Sequence, residues 1–375
     1  MKIENTVPHP SLFITRQDTD ILRNAAAEAE EAGRLHPQQL DVIYNNKWFR
    51  LLVPTMYGGA QFGLPNLLQQ QEAISWADGC TGWVVTLCNG AGWFGGFISP
   101  EIAPEIFSDE HVCLAGSGRA TGTAEIIENG YRIKGSWKYA SGIHHATHIT
   151  ANCIITKNEE PLLTDGEPLI RPFIFDRKDV TIVPAWKYTG MVATGSDAFE
   201  IKDLEIAANH QFKIDPSAAI ITDPVYRYPF HQLAEATIAV TLSGMAHHFI
   251  DLCKEIFAEK LKQPRPSDRQ KTMLTEEAES AEAKIDGQRK VFYDAIECSW
   301  DAIKNNNTIP DDVLAAVSNT SHALAQISRE AVDKLYPLCG LAAAHTGSEI
   351  NRCWRDLHTA SQHSLLTFGP AEECC

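Results

Sequence analysis

The chain has 375 residues, 44% of them hydrophobic and 21% charged, with a formal net charge of -16. That length supports a large core shared by two or three sub-domains, and so acidic a chain argues against a nucleic-acid partner, whose phosphates it would repel. No apolar run is long enough to span a bilayer, and ten cysteines without a Cys-x-x-Cys pair read as reduced thiols of a cytoplasmic protein.

The N-terminus lacks the apolar stretch of a signal peptide. Thr15 to Leu35 reads as a helix, with Ile21, Leu22, Ala25 and Ala29 on one stripe. Pro54 to Pro65, containing Tyr57-Gly58-Gly59, reads as a loop, and Asn66 to Ala77 resumes the helical pattern. Trp83 to Phe97 is apolar and glycine-rich, too dense for a surface helix, so it should pack inside or line a pocket. The period then changes. Asn129-Gly130 between two apolar runs predicts a hairpin. Its second strand alternates, with Tyr131, Ile133, Trp137 and Tyr139 on one face. Further strands are expected over 149–156, 172–176, 180–184 and 198–206.

Helical spacing returns in Ile238, Leu242, Met245, Phe249, Leu252 and Ile256, and again from Val313 to Leu335. Gln263-Pro-Arg-Pro-Ser267 is the clearest break between helices. The expected class is α+β, with an N-terminal helical domain over 1–110, a middle β domain over 111–210 and a helical bundle over 211–375.

Three motifs punctuate this order. They are Gly135-Ser-Trp-Lys-Tyr-Ala-Ser-Gly142 followed by Ile143-His-His-Ala146, then Tyr188-Thr-Gly-Met-Val-Ala-Thr-Gly-Ser196 leading to Phe199-Glu-Ile-Lys-Asp-Leu204, and Arg352-Cys-Trp-Arg-Asp-Leu-His-Thr-Ala-Ser-Gln-His363. Together they resemble the acyl-CoA dehydrogenase superfamily. Within it the likeness is greatest to the oxygenase component of two-component flavin monooxygenases, the group D aromatic hydroxylases. The resemblance implies an acyl-CoA dehydrogenase-like fold with a middle β-sandwich or barrel, a C-terminal four-helix bundle and a homotetramer. It also implies reduced FMN or FAD delivered by a separate flavin reductase, since no Gly-x-Gly-x-x-Gly site is present. Oxygen and a small aromatic substrate would complete the reaction.

The same resemblance sets Ser141 beside flavin N5, with Tyr139 and Trp137 covering the ring edge and Ser117 as a further flavin contact. Arg265 and Arg269 stand in loosely for a missing Arg-x-x-Phe-Gly motif, which leaves FMN against FAD open. The segment holding Trp83, Asn89 and Trp93 would face the substrate, with His144 and His145 as further substrate contacts. Each residue also has a plain structural reading: a strand-end turn for Ser141, core packing for the tryptophans, satisfied bundle residues for the histidines.

Where straight-chain dehydrogenases place a catalytic glutamate after Arg-Asp, this chain offers histidines, and no Glu falls between Asp356 and Pro370. An imidazole there can serve as base, acid or hydrogen-bond donor near neutral pH. His363 is the first choice for the substrate side and His358 the second. Five residues apart on a helix, they lie on different faces and do not form a paired metal site. His144 and His148 sit too far apart along a strand to share an ion, so no metal is expected. Two other readings stay open. One is an acyl-CoA dehydrogenase or oxidase with bound FAD and Glu235 as base. The other is a flavin-fold relic acting as a binding module.

Overall fold

The computed structural model describes residues 7–264, 267–306 and 308–367; Arg265 and Cys374–Cys375 lie outside them. Helix α1 (Arg16–Ala32) starts where the Thr15 hydroxyl accepts the Asp18 N–H and ends at Gly33 in the left-handed conformation. Helix α2 (Pro37–Asn45) opens with a capping box between His36 and Gln39. Helices α3 (Leu64–Ala77) and α4 (Gly79–Gly92) are split at Asp78, whose extended backbone ends one and whose carboxylate caps the next through Thr81. A short α5 (Ala103–Ile106) completes the N-terminal helices.

The middle region holds strands β1 (Leu114–Ile127), β2 (Gly130–Trp137), β3 (His148–Lys157), β7 (Ile170–Asp176), β8 (Thr181–Val183) and β9 (Ala198–Ala207), with two-residue strands β4 (Glu160–Pro161), β5 (Leu163–Thr164) and β6 (Glu167–Pro168) between β3 and β7. The Asn129-Gly130 hairpin forms as expected, with Ile127 opposite Gly130. Seven strands make one mixed sheet, in which β1 pairs antiparallel with β2 and parallel with β3. Tyr131 of β2 and Phe173 of β7 are three strands apart in this sheet, yet their ring centroids are 5.1 Å apart. A flat sheet would hold them about 14 Å apart. The sheet is therefore curled around its own apolar cluster, which contains Trp137, Ile149, Phe175 and Phe199.

The remainder is helical: α6 (Pro224–Arg227), α7 (Phe230–Leu261), α8 (Asp268–Asn306), α9 (Asp311–Cys339), α10 (Leu341–Ala344), α11 (Glu349–Ala360) and α12 (Ser364–Thr367). The expected stripe on α7 is buried from Ile238 to Phe249, but Ala239, Val240, Ala246 and Ile250 on its other faces are buried as well. The physical reason is position: α7 is the central rod, packed by α3 and α4 on one side and by α8, α9 and α11 on the other. Three long helices and the shorter α11 thus make the bundle. A buried ion pair pins it to α3. Glu72 accepts from Arg289 Nε (2.8 Å) and Nη2 (2.9 Å), Tyr293 Oη (2.8 Å) and Ser243 Oγ (2.6 Å). Among the described residues no helix is long and apolar enough to cross a membrane.

Candidate active site

A cavity of about 250 Å³ opens where helices meet the curled sheet. One wall is α4, where Thr86, Leu87, Gly90 and Ala91, with Phe94 just beyond, form a single helical stripe. The first turns of α7 supply Phe230, Leu233, Ala234, Thr237 and Ile238 at the same spacing. Strands β1 and β3 contribute Ser117, Thr150 and Asn152, and the turn after β2 contributes Ser141. His363 and Leu365, following α11, close the edge. A Cβ added at Gly90 or Gly118 would meet nothing within 4 Å, so both glycines leave the wall flat. A mostly apolar, flat-walled space with a few hydroxyl and amide groups suits a planar, largely apolar ligand.

The Ser141 hydroxyl is held by contacts from two directions. Trp83 Nε1–H donates to its Oγ at 3.1 Å, and its Oγ lies 2.7 Å from Ser196 Oγ. Ser196 Oγ lies 2.7 Å from Thr194 Oγ1, which donates to the Met191 carbonyl at 2.7 Å. The loop bearing Thr194 and Ser196 is tied in turn to α11. A Cβ at Gly190 would stand 2.1 Å from the Arg355 carbonyl, so only glycine allows this approach. Arg355 Nη1 donates to the Thr189 carbonyl (2.7 Å) and pairs with Glu30, while Asp356 accepts the Met191 N–H. Burial pushes the Asp356 carboxyl up to about 7. The Arg-Asp couple is thus the clamp for the second motif.

His363 packs its ring edge-on to Trp83, with centroids 5.9 Å apart. Burial holds its pKa below the ordinary imidazole value, so the ring is neutral at pH 7. Its Nδ1 accepts the Leu365 N–H at 3.4 Å. That assigns the proton of the neutral ring to Nε2 and makes Nε2 a donor. Among the described residues that line the cavity, His363 is the one with a titratable side chain, and no carboxylate is among them.

Several expected site residues are elsewhere. Strand β2 stops at Trp137, and Tyr139 takes a positive φ of 68°, which breaks the alternation before Ser141. Trp137 is therefore inside the sheet's core, stacked on Phe199, and Tyr139 is exposed against Trp186. Neither covers the cavity. Asn89 and Trp93 project from the opposite side of the α4 segment. Asn89 bonds the Trp48 and Val85 carbonyls and the Leu52 N–H, and Trp93 donates to the Val225 carbonyl from the core.

The histidines divide in the same way. His144 bonds Asp197 at 2.9 Å, and His145 is half-buried, with desolvation pushing its pKa down to about 4, but neither lines the cavity. His358 bonds Asp333 at 2.7 Å on the bundle, one turn from His363 but facing away. Arg269 is exposed at the start of α8. Glu235 is buried between α7 and α9, accepting from Ser318 Oγ (2.6 Å) and lying 3.2 Å from both His231 and His322 Nε2, whereas its neighbours Ala234 and Thr237 face the cavity. Residues 117, 141 and 363 do converge on the cavity, and Trp83 stands behind the last two. Thr86, Phe94, Phe230, Asn152, Thr194 and Ser196 complete the surroundings. The signal for the α4 group was present in the spacing: position 83 phases with 86, 87, 90 and 94, and not with 89 or 93.

Helices, a curled mixed sheet and a helical bundle in this order are the acyl-CoA dehydrogenase-like fold. Residues 236–368 match the family described as acyl-CoA dehydrogenase, C-terminal domain. The chain is 24% identical over 363 residues to the flavin-dependent monooxygenase oxygenase subunit HsaA of Rhodococcus jostii strain RHA1, a match spanning 92% of this chain and 91% of that one. It is 24% identical over 347 residues to the indole-3-acetate monooxygenase of Pseudomonas putida, spanning 92% and 87%. Among solved structures, XiaF from Streptomyces sp. in complex with FADH2 and glycerol superimposes with a TM-score of 0.84 at 22% identity, over 93% of this chain and 89% of that one. In fold and in its C-terminal region the chain is similar to the acyl-CoA dehydrogenases.

Proposed function

We propose that this chain is the oxygenase component of a two-component flavin-dependent monooxygenase. It takes reduced FMN or FAD from a separate flavin reductase and hydroxylates a small aromatic substrate with O2. The observation that carries this reading is the cavity lining, in which a neutral histidine is the sole titratable group among the described residues. Removing a proton from an acyl chain needs a carboxylate base, and Glu235 is turned to α9, where three side chains already engage it.

Bound reduced flavin would supply the activation of O2 and the transfer of one oxygen atom. The protein's share is binding, orientation and exclusion of water. Ser141 and Ser117 are the hydroxyls we assign to the flavin, with Trp83 fixing Ser141. His363 is assigned to the substrate: its Nε2–H would donate to a phenolic oxygen or other polar atom and hold the ring at one angle. The Phe94, Phe230 and Leu233 side chains would cover the aromatic faces and keep the site dry. Assembly as a homotetramer through the bundle and a cytoplasmic location belong to the same proposal.

The test is an anaerobic titration with dithionite-reduced FMN and, separately, FAD, followed by oxygenated buffer containing phenols or indoles. Hydroxylated product with reduced flavin supports the reading and tells which flavin serves. Tightly held oxidised FAD that is bleached by an acyl-CoA would overturn it in favour of a dehydrogenase.

A further inference from the structure

The hydroxyl chain behind Ser141 has a direction, because its far end is a carbonyl. The Met191 oxygen has no proton, so the 2.7 Å contact from Thr194 Oγ1 is a donation by Thr194. A hydroxyl has one proton. Thr194 must therefore accept from Ser196, and Ser196 in turn must accept from Ser141, since each link is 2.7 Å and needs one proton between its oxygens. Trp83 Nε1 can only donate, and it takes one of the two lone pairs on Ser141 Oγ. What Ser141 has left for the cavity is one lone pair and no proton.

The chain cannot loosen easily. Thr194, Ser196 and Ser141 are all nearly fully buried. The Gly142 N–H donates to the Thr194 carbonyl at 2.9 Å, which ties the Ser141 turn to the same loop. Arg355 and Asp356 fasten that loop to α11.

We propose that Thr194 and Ser196 are positioning residues that fix Ser141 as a pure acceptor, and that this polarity makes the site select reduced over oxidised flavin. The inference rests on the proposed placement of the flavin N5 edge at Ser141. Reduced flavin carries a proton on N5 and offers a donor there. Oxidised flavin carries a bare lone pair on N5, which would face the lone pair of Ser141 with no proton between them. An unmatched buried acceptor is costly, whereas a matched pair is favourable. The site thereby holds the form of the cofactor that reacts with oxygen and releases the spent form for re-reduction elsewhere.

Dissociation constants for oxidised and dithionite-reduced FMN and FAD, measured anaerobically on the full chain, test this directly. The wild type binds the reduced form more tightly. In Thr194→Val the Ser196 proton loses its acceptor and turns to Ser141, whose own proton swings into the cavity. The reduced-to-oxidised affinity ratio then falls about five- to tenfold, the scale of one net hydrogen bond. Ser196→Ala cuts the chain one link nearer and gives the same fall, which covers the case in which Thr194→Val does not fold. Thr194→Ser keeps the hydroxyl and keeps the ratio.

An unchanged ratio in Thr194→Val and Ser196→Ala, with Ser141→Ala still weakening reduced flavin, overturns the polarity and leaves the proposed function standing. Reduced-flavin binding that ignores Ser141→Ala removes the flavin from this hydroxyl and overturns both the placement and the inference. A fall that Thr194→Ser shares is a packing effect and also overturns it.

Discussion

Replacing His363 with alanine should separate oxygen consumption from product formation. The ring is held edge-on to Trp83, and Nδ1 is occupied by the Leu365 N–H, so Nε2–H is the donor left for substrate. A hydrogen bond to an ionised or strongly polar oxygen contributes about 1.5–3 kcal/mol. That corresponds to about 10- to 150-fold in kcat/KM for hydroxylation. His363 takes no part in the hydroxyl chain at Ser141, so affinity for reduced flavin should change by less than about threefold. The assay premixes enzyme with reduced flavin, adds oxygenated buffer with phenol or indole substrates, and quantifies hydroxylated product and hydrogen peroxide together. His363→Ala should consume oxygen as before but release it as peroxide. His363→Gln retains an amide donor and should recover part of the product. Burial lowers the pKa of His363, so the wild-type yield should hold below pH 6.5 and decline only as pH falls through that lowered value. An alanine variant that keeps the wild-type ratio of product to peroxide would refute the assignment.

Other outcomes follow from the supporting structure. Asp356 has its folded-state pKa raised to about 7. Its contribution is fully present below the unfolded value of about 3.9 and is lost as pH rises through 7, by about 4 kcal/mol. Asp356→Asn should remove this slope, read as the change in urea midpoint between pH 5 and pH 8; an equal slope in the variant contradicts the pKa direction. Arg289→Met strands the Glu72 carboxylate among α3, α7 and α8 and should cost about 3–5 kcal/mol in denaturant unfolding; a loss under about 1 kcal/mol would mean water reaches Glu72. Glu235→Gln should leave hydroxylation within about twofold, because its carboxylate faces Ser318 and His322 rather than the cavity. Loss of hydroxylation with folding intact would bring Glu235 back into the chemistry.

Segments were more legible in the sequence than rotations. The Asn129-Gly130 hairpin and the long helices follow from local period and turn chemistry, which neighbours do not override. The orientation of α4 does not, because it is apolar nearly all round and carries no polar face to phase it. The sequence alone therefore places Asn89 and Trp93 toward the cavity, whereas they face the core. His358 and His363 could be separated by helical geometry, but which one met the cavity depended on where α11 ends. Trp137 followed the strand alternation correctly into the sheet's core. That position keeps Trp137 out of the cavity lining, stacked on Phe199, and Tyr139 leaves the strand with a positive φ. The hydroxyl chain was unreadable in principle: Trp83, Ser141 and the 194–196 pair come from three segments brought together only by the tertiary fold.

The clamp between α11 and the 188–196 loop has an evolutionary consequence. His363 and the Ser196–Thr194 pair behind Ser141 ride on one chassis, so a shift in α11 would disturb the proposed substrate donor and the proposed flavin acceptor together. Trp83 and Cys80 tie α4 to that chassis, but among the described residues the apolar side chains of the two stripes make no hydrogen bond to it. Leu87, Ala91, Phe94, Phe230 and Leu233 can be exchanged to admit a different ring while the reacting groups stay aligned. A lineage built this way can change its diet without relearning its chemistry.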